Sequence, residues 1–305
     1  MTTRIYLSGG LGNQLFQLAA ALFVADGERV VLESRYSHTR KNKDGNPDIC
    51  GFKLPGNVSV SQVDSNQLVR RSLNFGIRIG AKGNSVFLIK ILEYVISFLI
   101  FVIEHQRLKV FINRGLGYDP RIRKLSRNVF LVGYFQTYQL VDKFEVRTLM
   151  QELCLAEGFT TEDLYLDSET QIYLHLRLGD YLEASAFGIP TVDYYRQAIS
   201  ELRLFREDLR LVVFSDEPIN AKDYLRELLS EEDLVLPPSS YSSAEVMQSF
   251  RSGRFYVIGN SSFSWWGAYL SLNEQSRVTA PEPWFLKTTT PFNLLPPSWV
   301  KLRSF

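Results

Sequence analysis

The heptapeptide His175-Leu176-Arg177-Leu178-Gly179-Asp180-Tyr181 ends an apolar β-type run with a histidine, an arginine and an acid. At the C-terminal end of a parallel strand, such a cluster sits where open α/β sheets bind ligands. Arg177 offers a rigid fork of donors suited to a pyrophosphate. Gly179 lets the backbone turn sharply, and Asp180 can orient the arginine or serve as a base. An Arg177–Asp180 ion pair at a strand end would account for the same residues. Phe214-Ser215-Asp216-Glu217 closes a second strand. Its carboxylates, Asp216 and Glu217, suit hydrogen bonds from a guanine edge or a ribose hydroxyl. The same stretch, followed by Pro218, also reads as a capped helix start. The third cluster is Gly259-Asn260-Ser261-Ser262-Phe263-Ser264-Trp265-Trp266-Gly267. Small hydroxyl residues at a helix N-terminus present donors to an anion, and the helix dipole adds to them. An ordinary N-capped helix is the alternative, but the density of hydroxyls favours phosphate. Trp265 and Trp266 are expected to anchor that helix in the core.

The elements that must position these clusters alternate. A short strand at Arg4–Leu7 leads into Gly9-Gly10-Leu11-Gly12-Asn13-Gln14, then a helical pattern through Leu15, Phe16, Leu18, Ala19, Leu22 and Phe23, then a strand at Arg29–Leu32. This is the opening of a parallel α/β sheet. The glycine-rich stretch resembles a dinucleotide fingerprint, but Leu15 stands where the third glycine belongs, so NAD is rejected. Residues 36–60 read as a loop, 61–83 are weakly patterned, and a buried strand is expected at Val129–Gly133 before Tyr134-Phe135-Gln136. The second half alternates more regularly. Strands are predicted at Ile172–Leu176, Arg210–Phe214, Phe255–Ile258 and Arg277–Thr279, with helices at Val192–Arg206, Lys222–Leu229 and Phe263–Leu272. The pattern predicts an α/β protein with two doubly wound, Rossmann-like domains facing each other. The domains are expected at 1–160 and 161–305.

Composition narrows the function classes. The 305 residues carry 34 Lys+Arg and 33 Asp+Glu, a net charge of +1, so no global field favours nucleic acid. Cys50 and Cys154 form neither a metal-ligand spacing nor a disulfide framework. The three histidines, His38, His105 and His175, are far apart, and no Asp-x-Asp occurs, so no metal site is expected. No apolar core of a signal peptide precedes the first strand, and a targeting segment is not expected. Val86–Ile103 is an 18-residue apolar run interrupted by Lys90, Glu93, Tyr94 and Ser97. Lys90, Glu93 and Ser97 share one helical face with Glu104, which leaves a broad apolar stripe. Basic flanks at Arg70, Arg71, Arg78, Lys82, Arg107 and Lys109 suit anionic headgroups. A helix lying in a membrane interface is the leading expectation and a buried domain helix the second, with a spanning helix third.

Taken together and in order, Gly9–Gln17, Gly133–Gln136, His175–Tyr181, Phe214–Glu217 and Asn260–Gly267 resemble the α-1,2-fucosyltransferases of glycosyltransferase family eleven. The resemblance spans most of the chain. It implies a GT-B-like architecture, two Rossmann-like domains about a cleft, with inverting transfer of fucose from GDP-β-L-fucose. The C-terminal domain would hold the donor through Arg177, Asp216, Glu217, Asn260, Ser261, Ser262, Phe263 and Ser264. The N-terminal domain would take the acceptor or the donor sugar through Gly10, Gly12, Asn13, Gln14 and Gln136. Catalysis falls to Arg177 with His175 or Asp180 as base, between which the sequence does not choose. One departure is Leu178, where the family pattern has a second arginine. Positions 177 and 178 point opposite ways on leaving a strand, so one arginine suffices. No cofactor is expected, because GDP-fucose is a substrate and fixed donors can stabilise the leaving diphosphate without a metal. The implied partners are GDP-fucose and a lipid-linked glycan acceptor, at the inner face of the cytoplasmic membrane, in the building of O-antigen or another surface polysaccharide. The competing readings are a fucosyltransferase of another linkage and a non-catalytic glycan- or nucleotide-sugar-binding module.

Overall fold

The computed structural model describes residues 1–34, 45–61, 66–83, 85–157, 166–179, 181, 186–236 and 241–305. The chain divides into two compact units. One comprises Met1–Ala156 with Pro291–Leu294, the other Glu157–Thr290 with Leu295–Phe305.

The first unit is built on five parallel strands, β1 (Thr2–Tyr6), β2 (Arg29–Glu33), β3 (Val58–Ser61), β4 (Lys109–Ile112) and β5 (Val129–Val132), in the order β3-β2-β1-β5-β4. Its helices are α1 (Leu11–Ala25), α2 (Gln67–Ala81), α3 (Val86–Glu104), α4 (Tyr138–Val141) and α5 (Phe144–Gln151). Helix α1 is apolar nearly all round and almost wholly buried, as such a helix must be. The second unit carries β6 (Gln171–Leu176), β7 (Arg210–Ser215), β8 (Leu234–Val235), β9 (Phe255–Val257), β10 (Arg277–Glu282) and β11 (Val300–Arg303), parallel in the order β11-β10-β9-β6-β7-β8. Its helices are α6 (Val192–Arg203), α7 (Pro218–Tyr224), α8 (Ser243–Arg251) and α9 (Ser262–Tyr269). Both units are thus doubly wound α/β folds. Each sheet reverses its winding once, between β1 and β5 in the first unit and between β6 and β9 in the second. Outside the C-terminal ends of such a strand pair lies the ligand crevice of open α/β sheets.

Three elements differ from the sequence expectation. The helix expected at Lys222–Leu229 starts four residues earlier, because Pro218 takes the first helical position where its missing N–H costs nothing. Strand β3 falls inside the stretch read as a loop, since four residues without apolar alternation carry little signal. The polar residues of α3 do not face water. The Ser97 hydroxyl donates to the Glu93 carbonyl (2.6 Å) and accepts the Val110 N–H (2.9 Å), while Glu93 Oε1 accepts the Ile112 N–H (2.9 Å). These two N–H groups belong to the open edge of β4, which would otherwise present unpaired donors. Arg121 completes the seal by pairing with Glu93 (3.1 Å) and donating to the Ile112 carbonyl (2.7 Å). Burial pushes the Glu93 carboxyl pKa upward against these favourable bonds. The buried side of α3 is Ile89, Ile96 and Ile100, packed with Val110 and Ile112.

Glu93→Ala strips an acceptor from the Ile112 N–H and a partner from Arg121. It should lower stability by about 1–3 kcal/mol, read as a shifted urea midpoint, with Glu93→Gln costing less because it keeps an acceptor. An unchanged midpoint in the alanine variant would remove the sealing role.

Candidate active site

Strands β6 and β7 pair with His175 opposite Phe214 and Leu176 opposite Ser215. The residues that leave them therefore emerge side by side. Arg177 Nη1 lies 3.2 Å from Asp216 Oδ2, and Asp216 Oδ1 accepts the Leu178 N–H at 3.0 Å. A Cβ at position 179 would overlap Asp216 Oδ2, so only glycine admits the carboxylate here. Leu178 points into the core, 3% exposed, among Leu176, Tyr194 and Tyr195. That is the alternation expected of the departure from the family pattern. The arginine thus has an acid partner on the neighbouring strand, Asp216. The other acid weighed for it, Asp180, lies outside the described residues. Both members of the pair keep about a fifth of their side chains open, 22% and 20%.

His175 is buried. It stacks on Phe263 with ring centroids 5.3 Å apart and meets Phe250 edge-on at 5.9 Å. Burial, assisted by the nearby Arg177 charge, lowers its pKa from 6.5 to about 3. The base role considered for it is therefore corrected. A group that holds no proton until about pH 3 is poorly matched to accepting one near neutrality. Its Nδ1 is buried without a protein partner.

At the start of α9 most polar side chains are committed to the loop itself. Ser261 Oγ accepts the Phe263 N–H (3.3 Å), and the fully buried Ser264 hydroxyl donates to the carbonyls of Gly259 and Ser261 (3.3 and 3.1 Å). Asn260 Nδ2 donates to the carbonyls of Phe187 and Gly188 (3.2 and 2.9 Å), and the Tyr181 hydroxyl donates to the Asn260 carbonyl (3.0 Å). The side chains of Asn260, Ser261 and Ser264 therefore shape the turn. What they leave for an anion is the half-buried Ser262 hydroxyl and the first-turn N–H groups, which have no acceptor inside the helix. Trp265 and Trp266 are buried, as expected of anchors. Glu217 is exposed and begins α7, so the Phe214–Glu217 stretch is both a helix start and the source of the Arg177 partner.

The glycine-rich loop of the first unit follows β1 and meets the exit of β5. Gln136 Nε2 donates to Asn13 Oδ1 (2.8 Å), and Gln136 Oε1 is buried without a protein partner. Gly9 has φ +75 and a Cβ there would stand 2.5 Å from Asn13 Nδ2. Gly10 caps α1 and Gly12 is buried inside it. Gln14 is placed elsewhere: it is fully buried and ties the Gly9 carbonyl (3.0 Å) to the Ile49 N–H (2.9 Å). Its role is structural, which corrects the ligand-side expectation. Gln17 was not singled out, yet it accepts the Ser8 N–H (3.0 Å) and donates to the Ser8 hydroxyl (2.8 Å) and the Gly133 carbonyl (3.0 Å). A polar residue inside the apolar run Leu15–Ala19 was its available signal. Among the described residues no group of three His, Cys, Asp or Glu comes together as a metal cluster.

Two parallel α/β units, each with polar groups gathered at the turning point of its sheet, define the architecture of a GT-B-like glycosyltransferase. The fold matches the crystal structure of fucosyltransferase NodZ from Bradyrhizobium over 88% of this chain and 91% of that one, with TM-score 0.50 and 13% identity. NodZ α-1,6-fucosyltransferase co-crystallized with GDP gives the same TM-score at 14% identity, covering 87% and 91%. Two Escherichia coli proteins align along nearly their full lengths. An alpha-1,2-colitosyltransferase is 25% identical over 97% of both chains. The O-antigen biosynthesis glycosyltransferase WbnK is 24% identical over 97% of this chain and 99% of its own. The sequence model of glycosyl transferase family 11 matches residues 117–293, more than half of the chain, and the protein belongs to that family.

Arg177→Ala should lower kcat/KM for glycosyl transfer about 100-fold or more, the usual cost of one charge-stabilising donor. Arg177→Lys should recover little, since a point charge does not replace the fork. Near-normal turnover of the alanine variant at saturating donor would overturn the assignment. For His175 the folded pKa lies below the unfolded one. The stability contributed by the neutral ring is complete above pH 6.5 and is lost as pH falls toward about 3. The His175 ring resonances should accordingly stay fixed from pH 8 to pH 5 in an NMR titration; a midpoint near 6.5 would show the ring to be solvated.

Proposed function

We propose that this glycosyltransferase moves L-fucose from GDP-β-L-fucose to the 2-hydroxyl of a galactoside, with inversion, in the building of O-antigen or another surface polysaccharide. The observation that carries this reading is the Arg177–Asp216 pair at the turning point of the second sheet, in a chain of family 11. Support comes from the NodZ structure co-crystallized with GDP and from a relative named for α-1,2 transfer. Departure of the sugar leaves negative charge on the diphosphate. Arg177 would bind that charge through its fork, with the Ser262 hydroxyl and the first-turn N–H groups of α9 opposite. Asp216 would fix the guanidinium. Both Asp216 oxygens are engaged, so the exposed Glu217 carboxylate is the one left to read guanine. His175 is unsuited to be the base, which leaves Asp180 to receive the acceptor proton. Asn13 and Gln136, with the backbone at Gly10 and Gly12, would serve the acceptor or the transferred sugar. No metal takes part.

The alpha-1,2-colitosyltransferase relative favours one second reading, the same linkage with colitose, the 3-deoxy form of L-fucose, as the transferred sugar. One assay separates the two. The enzyme is given GDP-fucose or GDP-colitose with a panel of galactosides, and the product linkage is determined by NMR. The expected product is the α-1,2-fucoside, formed at an unchanged initial rate in excess EDTA, with GDP a competitive inhibitor and UDP a poor one. A higher kcat/KM for GDP-colitose establishes the second reading. Another linkage, loss of activity in EDTA restored by Mg²⁺, or equal inhibition by UDP contradicts the proposal.

A further inference from the structure

Helix α3 is long and apolar enough to cross a membrane by length and composition, yet it is a crossover helix lying along the edge of a sheet. Glu93 and Ser97 bind it to β4, and Ile89, Ile96 and Ile100 bury its inner side. The opposite side is open. Phe87 is 76% exposed and Tyr94 75%, and Ile91, Phe98, Phe101 and Val102 continue the same stripe in the exposed class. Residues three and four apart stack along one helix face, so these six form a continuous apolar surface over about five turns. A contiguous apolar surface of that kind marks an interaction site.

The charge around it identifies the occupant. Residues 66–125 contain eleven Lys and Arg but three Asp and Glu, whereas the whole chain is nearly neutral at +1. Two of those three acids, Glu93 and Asp119, are paired to Arg121. Arg78, Lys82, Lys90, Arg107 and Lys109 are exposed. Lys90 is one turn from both Phe87 and Tyr94, at the border of the stripe, and Arg107 lies over the Phe101 ring at 5.6 Å from its centroid. An apolar stripe rimmed by cations fits acyl chains below and anionic headgroups at the rim. Two copies of the same face would bring like charge against like charge.

We propose that the open face of α3 docks the enzyme on an anionic lipid surface, the helix lying in the interface with the sheet above it. The inner side of the helix stays engaged with β4 throughout, so docking needs no rearrangement of the fold. Tyr94 places a ring in the apolar layer with its hydroxyl toward the headgroups.

The test is sedimentation of the full chain with vesicles at low salt. The parent should pellet with phosphatidylcholine vesicles containing 30 mol% phosphatidylglycerol, "roughly" an inner-leaflet anionic content, and be released by salt, since screening shortens the reach of surface charge. Pure phosphatidylcholine should bind it about tenfold less. Phe87→Ser/Phe98→Ser/Phe101→Ser should abolish pelleting while leaving the urea midpoint and transfer to a soluble acceptor unchanged. Arg78→Glu/Lys82→Glu/Lys90→Glu, which leaves the apolar stripe whole, should weaken binding to the anionic vesicles alone. Failure of the folded parent to pellet overturns the proposal. So does a lipid-free dimer in sedimentation equilibrium that the serine variant converts to monomer, because the face would then belong to a second copy.

Discussion

The second unit depends on one ion pair held by strand register. Arg177 and Asp216 are adjacent because β6 and β7 run parallel, with the last residue of β6 opposite the last of β7. A slip of one residue would turn Arg177 into the core and Leu178 out of it. The pair also needs the bare backbone at Gly179, into which the carboxylate fits, and the Leu178 N–H, which holds the second oxygen. The guanidinium is thereby fixed before any ligand arrives. An arginine that starts in place loses little freedom on binding, which is how preorganised sites stabilise developing charge.

The first unit uses neutral groups for the same end. Its loop after β1 is held by amide side chains, Gln14 to the Gly9 carbonyl, Gln17 to Ser8 and Gly133, and Gln136 to Asn13. Buried amides must find partners, and here the partners are the loop backbone itself. The result is a loop defined by hydrogen bonds, with one buried Gln136 oxygen left over at the turning point of the sheet.

The clusters themselves were legible in the sequence because each breaks a local rule. His-x-Arg ending a strand, hydroxyls crowding a helix start and glycines ahead of an apolar helix all stand out from their surroundings. What those residues do with one another was not legible. The Arg177 partner is 39 positions away and set by strand pairing, and a single chain shows no signal for that pairing. The hydroxyls of Ser261 and Ser264 looked like phosphate ligands because capping and anion binding call for the same residues. Helix α3 shows the same limit. Periodicity located Glu93 and Ser97 on one face, but water and a sheet edge are both polar surroundings, and only the fold distinguishes them. Short strands such as β3 and β8 carry too few residues for any period to emerge.

The bonds between α3 and β4 also bear on the order in which the chain assembles. Val110 and Ile112 bind side chains only 13 and 19 residues earlier, whereas β1 reaches its partner β5 across more than a hundred residues. Contacts so close in sequence close small loops and form early. During synthesis, α3 and β4 can unite as soon as both have left the ribosome, while β5 is still to come. The strand edge would then be covered on one side before its sheet neighbour exists, and the nascent unit would show its sticky helix face to the surroundings from the outset.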